Sequence, residues 1–251
     1  MTQAERGAAF RALHEGAPFV IPNPWDAGSA RMLEELGFRA LATTSSGFAF
    51  TLGRPDGGAT LDEVVEHVRS LAGATSLPVS VDLENGHGPR PEDAAEAIAR
   101  VAEAGAVGGS IEDYDPEGGI YPLAEAVERV TAAVEAARAL PFDFVLTARA
   151  ENLIRNTPDL DDTIARLVAY EAVGADVVYA PGLRTAEEIA AVRAATTKPI
   201  NVLALGGGLT LAEIAEAGGQ RVSIGGQLTW VARNAAKSAA ERMLDGDFSA
   251  L

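Results

Sequence analysis

Three carboxylates and one guanidinium stand where short apolar runs of this chain end. They are Asp82 and Glu84 in Val81-Asp82-Leu83-Glu84, Glu112 in Ile111-Glu112-Asp113, and Arg149 in Thr147-Ala148-Arg149. On extended backbone, residues two apart share a face, so Asp82 and Glu84 project to one side and Leu83 to the other. A neighbouring run ending in Glu112 brings a third carboxylate into the same volume, where repulsion raises carboxyl pKa values unless a cation is present. A divalent ion is the simplest occupant, and an all-oxygen donor set without clustered His or Cys selects a hard one, Mg²⁺ or Mn²⁺. Arg149 at a run's end can bind an oxyanion bidentately and stabilise developing negative charge. The same residues also admit a structural role, with Asp82 and Glu84 capping loops or pairing with Arg149, and Arg149 pairing with Glu151 or Asp82.

Other groups near run ends carry weaker chemistry. Ser45-Ser46-Gly47 offers hydroxyls and a flexible backbone whose N–H groups can hold a carboxylate, although such triplets are commonly plain turns. Of three histidines only His87 lies near a run's end, and His14 and His67 fall in helical patterns, so no Ser-His-Asp set is expected. With no cysteine, thiol catalysis, thiolate zinc sites and disulfides are excluded. Gly206-Gly207-Gly208 lacks the following Lys-Ser/Thr of a phosphate loop and reads as a flexible turn.

What must position these groups is a repeated unit. Eight β-branched or apolar runs are expected as strands: Phe19 to Pro22, Ala40 to Thr44, Pro78 to Leu83, Val107 to Glu112, Phe144 to Ala148, Val177 to Ala180, Ile200 to Leu203 and Val222 to Ile224. Ala/Glu/Arg-rich helical patterns separate them, the last from Gln227 to Leu244, with one more before the first strand. Gly37, Gly105, Gly174 and Gly218 follow last turns as C-cap residues do. Eight strands alternating with eight helices predict an α/β fold, a (β/α)8 TIM-type barrel with an extra N-terminal helix, formed as one domain over 1–251. In such barrels chemistry collects at the C-terminal ends of the strands, where the polar residues above lie.

Composition bounds the partners. The 251 residues carry 36 acidic and 20 basic side chains, a formal charge of −16, which repels phosphate backbones and anionic lipid surfaces. Neither nucleic acid nor a membrane is expected as a partner. No long apolar window or basic-then-apolar leader pattern is seen, so a cytoplasmic location is expected.

Taken together, Thr44-Ser45-Ser46-Gly47, Leu52-Gly53-Arg54-Pro55-Asp56, Val81-Asp82-Leu83-Glu84-Asn85-Gly86-His87-Gly88, Ile111-Glu112-Asp113, Thr147-Ala148-Arg149-Ala150-Glu151 and Asn201-Val202-Leu203 resemble the isocitrate lyase and phosphoenolpyruvate mutase superfamily. They occur in family order along almost the whole chain. The resemblance implies a barrel that binds Mg²⁺ and a small 2-oxo acid or its enolate and makes or breaks a C–C or P–C bond beside the oxo group. By that resemblance Asp82, Glu84 and Glu112 surround the metal, Ser45, Ser46 and Gly47 hold the substrate carboxylate, Arg149 holds an oxyanion, Asn201 holds a further oxygen, and Asp56 contacts substrate. Glu84 stands where many relatives carry aspartate.

The chain departs from the family after Glu112-Asp113. Isocitrate-type lyases carry a Lys-Arg/Lys-Cys-Gly-His loop there, whereas this chain reads Tyr114-Asp115-Pro116-Glu117-Gly118-Gly119-Ile120-Tyr121. The lysine and asparagine of phosphonate-forming relatives are absent too. Fewer basic groups favour a smaller 2-oxo acid, with proton return from water, Tyr114, Tyr121 or His87. The expected activity is an Mg²⁺-dependent C–C lyase. Phosphonomutase or phosphonopyruvate hydrolase chemistry is the alternative, and a non-catalytic 2-oxo acid binder a second. The resemblance further implies a homo-oligomer, dimer or tetramer, in which the last helix, about 227–245, is exchanged between subunits.

Overall fold

Parallel strands cannot be joined by tight turns, so each must be followed by a crossover, and the helical pattern after each apolar run supplies it. The computed structural model describes residues 1–250. Its main sheet contains β1 (Phe19–Ile21), β2 (Leu41–Ala42), β3 (Val79–Asp82) and β4 (Gly108–Glu112). A short antiparallel hairpin, β5 (Tyr114–Asp115) with β6 (Gly119–Ile120), lies outside it. The sheet continues with β7 (Val145–Arg149), β8 (Val177–Tyr179), β9 (Ile200–Leu203) and β10 (Arg221–Ser223). All sheet neighbours are parallel, in the order β1-β10-β9-β8-β7-β4-β3-β2. The two ends meet where the Ala42 amide donates to the Pro22 carbonyl at 3.0 Å and Asn23 Nδ2 donates to the Thr43 carbonyl at 2.9 Å. The architecture is the expected (β/α)8 barrel.

The helices are α1 (Gln3–Leu13), α2 (Ala27–Glu35), α3 (Ser45–Thr51), α4 (Leu61–Ala74), α5 (Pro91–Glu103), α6 (Leu123–Arg138), α7 (Leu160–Ala172), α8 (Ala186–Ala195), α9 (Leu211–Glu216) and α10 (Gln227–Leu244). Their starts are written locally: Thr60, Thr185 and Thr210 each cap an N-terminus with a glutamate three residues on. Gly37, Gly105, Gly174 and Gly218 all take positive φ, as C-cap residues. Three short elements were not legible in the pattern: α3, the β5–β6 hairpin, and the 3₁₀ turn Asn152–Ile154. The first carries Ser-Ser-Gly, a turn composition, yet Thr44 caps it and continues the chain as helix.

The core lies in two layers, one between the strands and the outer helices and one at the barrel bottom. There Phe10 of α1 packs with Phe19, Ile21, Val107, Val145 and Val177. A Cβ on Gly108 would stand 2.7 Å from the Phe10 ring, so glycine in β4 lets α1 seal this end. The opposite end carries the strand C-termini. From Trp230 onward every residue of α10 except Ala239 is exposed, including Val231, Met243 and Leu244. No helix among the described residues is long and apolar enough to cross a membrane.

Candidate active site

Strand alternation sends Glu112 into the barrel and Asp113 outward, and the two acids meet opposite fates. Glu112, 6% exposed, faces Arg149 with Oε2 3.2 Å from Nη1 and Arg155 with Oε1 3.7 Å from Nη2. Asp113 accepts from Tyr170 Oη at 2.6 Å, Arg166 Nη1 at 3.0 Å and the Glu151 amide at 2.7 Å. It thereby ties the end of β4 to α7 and to the segment after β7. Burial pushes Asp113 up against these stabilising partners, and burial also pushes the Tyr170 hydroxyl well up.

Arg149 closes β7 and is the hub of the mouth. Its Nη1 lies 3.5 Å from Asp82 Oδ1 and 3.2 Å from Glu112, its Nε donates to the buried Glu151, and its guanidinium sits 5.4 Å above the Tyr179 ring. The surrounding carboxylates hold it well above its ordinary pKa against the pull of burial. Asp82 also accepts the Ser45 amide at 3.1 Å, and its own amide donates to Thr43 Oγ1 at 2.9 Å. The structural pairings open to Arg149 in the sequence, with Asp82 and with Glu151, are therefore both made, and both sit inside the site.

Glu84 reaches this volume by a route that strand alternation misstates. β3 ends at Asp82, and Glu84 occupies a turn with φ 51°. Its carbonyl accepts the Glu112 amide at 2.8 Å, and its carboxyl lines the mouth cavity. The loop is held by Arg129, a buried arginine of α6 that donates to the carbonyls of Asn85, Gly88 (2.7 Å) and Pro89 (2.6 Å). Burial, then the Asp82 and Asp56 charges, pushes Glu84 up to about 7. Burial raises Glu112 well above the carboxylate range despite Arg149. Asp56 stands at the rim, still reached by solvent, and enclosure by protein raises it while the Ser45 hydroxyl opposes the rise.

A cavity of about 230 Å³ opens here, lined by Ser45, Asp56, Gly57, Glu84, Glu112, Tyr114, Pro116, Arg149 and Arg155. Arg155, absent from the sequence expectations, sits 3.9 Å over the Tyr114 ring and binds Glu151 through Nε at 2.9 Å. Its signal was the four-residue spacing from Glu151, itself two residues from Arg149. Ser45, Ser46 and Gly47 form the first turn of α3, not a flexible turn. The Gly47 amide is spent on Thr44 Oγ1 at 3.3 Å, and a Cβ there would lie 2.6 Å from Thr229 Oγ1 of α10. Asn201 is buried one layer deeper, accepting from Arg221 and donating to Ser223 Oγ at 3.0 Å. His87, at φ 60°, is mostly buried, and burial lowers its pKa. Tyr121 is buried beneath Arg129 with its hydroxyl accepting from Asn85 Nδ2 at 3.1 Å. Neither lines the mouth cavity.

Among the described residues no three His, Asp or Glu side chains close on one point as a ready cation cage. The donor set nevertheless fits a hard dication that keeps most of its own waters and takes few direct carboxylates. Five acids (Asp56, Asp82, Glu84, Glu112, Glu151) meet only Arg149 and Arg155, and three of them, Asp56, Glu84 and Glu112, are pushed up, chiefly by burial.

A parallel barrel with carboxylates and an arginine at its strand ends defines a class of enzyme scaffold. Residues 10–244 match the family model described as phosphoenolpyruvate phosphomutase, and the chain belongs to that family. An oxaloacetate decarboxylase of Rhodopseudomonas palustris (strain TIE-1) is 32% identical over 210 residues, covering 80% of this chain and 71% of that one. A Burkholderia cenocepacia J2315 structure, described provisionally as a lyase/mutase, is 54% identical with TM-score 0.96, covering 99% of this chain and 91% of that one. A second structure from the same organism, described provisionally as a phosphonomutase, is 39% identical with TM-score 0.89, covering 96% and 99%.

Proposed function

We propose that this chain is a lyase acting on a small 2-oxo acid, with loss of CO₂ from an oxaloacetate-like substrate as the leading case. The observation that carries this reading is the placement of Arg149 and Arg155 on one 230 Å³ cavity whose other charged groups are carboxylates. Asp82, Glu84 and Glu112 would hold Mg²⁺ or Mn²⁺, which supplies Lewis acidity toward the oxo oxygen when bound. Arg149 faces the negative charge that moves into the oxo group as the C3 bond breaks. Arg155 takes the second carboxylate, replacing the basic loop that isocitrate-type lyases carry. Ser45 and Ser46 at the start of α3 hold the first carboxylate with their hydroxyls, and Gly47, its amide spent on Thr44, lets that turn pack against α10. Glu151 locks both guanidinium groups in orientation, and Asn201, turned toward Arg221, shapes the floor. Tyr114, stacked on Arg155, returns the proton to C3, and Asp56 at the rim orders the entering acid or its water.

The test is NMR of oxaloacetate with protein and Mg²⁺, against Mg²⁺ alone because the ion catalyses the loss of CO₂ by itself. Pyruvate formed no faster than in that control sinks the leading case. The second reading, P–C chemistry, is favoured by the likeness to the provisionally described phosphonomutase and by Asp56 on the cavity wall. Inorganic phosphate released from phosphonopyruvate would establish it. Saturable, Mg²⁺-dependent thermal stabilisation by these acids with no product would instead mark a binding protein.

The exposed α10 supports a homo-oligomer. Its Trp230 meets the Phe50 ring edge-on at 5.5 Å between centroids, and Val231 and Leu244 face solvent. In this reading the helix packs on another copy, as a dimer or tetramer. A purely monomeric species in sedimentation velocity would refute it.

A further inference from the structure

Beneath the mouth lies a second cavity, of about 60 Å³, inside the barrel. Arg149 and Asp82 line its upper end, and Arg221 of β10 lines it as well. Arg221 is 5% exposed and faces no carboxylate within ion-pair distance among the described residues. Its three nitrogens each make one bond: Nε donates to Asn201 Oδ1 at 2.7 Å, Nη2 to Thr147 Oγ1 at 2.8 Å, and Nη1 lies 3.4 Å from His14 Nε2. His14 Nδ1 lies 2.8 Å from the Phe10 carbonyl, so the ring donates there and accepts from Arg221, which makes it a neutral partner. A guanidinium has five N–H donors, so two remain unassigned. A buried charge without a counter-ion is among the most expensive arrangements in a folded protein. Consistently, burial lowers Arg221 to about 10.

Most of the remaining polar lining is hydroxyl, that of Ser80, Ser110 and Ser223 included, and its one carboxylate, Asp82, is paired with Arg149. We propose that the inner cavity is a binding site for a small monovalent anion of chloride size, held by Arg221 and the serine hydroxyls at its wall. The size of the cavity selects the ligand. At about 60 Å³ against 230 Å³ for the mouth, it is the tighter of the two compartments and suits an ion of chloride size. Arg149 separates the two compartments and lines both. The ion neutralises the floor beneath Asn201 and completes the barrel's charge balance, whichever reaction the mouth performs.

The experiment is thermal unfolding of the whole protein in sodium chloride, bromide or gluconate at one fixed ionic strength. Chloride and bromide should raise Tm by about 3–5 °C per tenfold above the dissociation constant, with gluconate inert. Arg221→Met should remove the dependence. A wild-type Tm equal in all three salts overturns the proposal, as does an identical halide response in the variant. Anomalous scattering from bromide-soaked crystals tests it without a variant. A peak within hydrogen-bond distance of the Arg221 guanidinium supports the site, and its absence at saturating bromide overturns it.

Discussion

Arg149 and Arg221 are both inward-facing arginines of one barrel, and their surroundings are opposite. Arg149 is caged by Asp82, Glu112 and Glu151 and held well above its ordinary pKa, whereas Arg221 has only amide, hydroxyl and imidazole partners and is lowered to about 10. The mouth has a surplus of negative charge that calls for a cation, and the floor has an unanswered positive charge. The difference teaches that charge is not balanced locally within this barrel but sorted into two layers, a negative mouth above a positive floor.

The strongest way to break the contrast is to remove the acids of the mouth. Glu112→Gln or Asp82→Asn should cost at least about 10³-fold in metal-dependent turnover, read as initial rates with added Mg²⁺. Full wild-type activity with EDTA present would remove the metal from the reading altogether. Arg149→Lys keeps the charge and loses the planar fork, so kcat should fall on the order of 10²-fold, more than KM changes. An unaltered kcat would place Arg149 in the scaffold alone.

Stability sharpens the same comparison. Asp113→Ala strands buried Arg166 and Tyr170 behind the mouth and should cost about 3–5 kcal/mol, measured by urea unfolding. A loss below about 1 kcal/mol would show that this cluster does not brace β4. The smallest effect belongs to the floor. Burial, then the Arg221 and Arg11 charges, lowers His14 to about 3 from an ordinary 6.5. Below pH 6.5 the unfolded chain therefore takes up this proton first, and stability is lost as pH falls from 6.5 toward 3. The loss should be on the order of 1–2 kcal/mol by pH 5. His14→Phe should flatten that limb in chemical denaturation at pH 5 and 7; an unchanged slope would mean that His14 does not set it.

The site was legible to the extent that its residues end strands. Asp82, Glu112 and Arg149 follow apolar runs and converge because a closed barrel brings every strand end to one face. Glu84 was placed on the correct side for the wrong reason, since it sits in a left-handed turn that Arg129 fastens from a helix about forty residues away. Arg155 lay in a segment without periodicity. Arg221 fell just outside the expected strand, although Arg221 and Ser223 flank Val222 with the alternation of one inward face.

The sequence by itself determined what is local and periodic: the strand and helix alternation that makes the barrel, the threonine and glycine caps, the acids at strand ends, and the absence of any thiol. The tertiary structure alone decided which charge meets which. Those pairings join residues about 30 to 70 positions apart, such as Asp82 with Arg149 and Glu112 with Arg149, and they depend on strand register. Register and barrel closure are properties of the whole sheet, and electrostatic energies change over a few ångströms, a scale that no spacing along one strand carries.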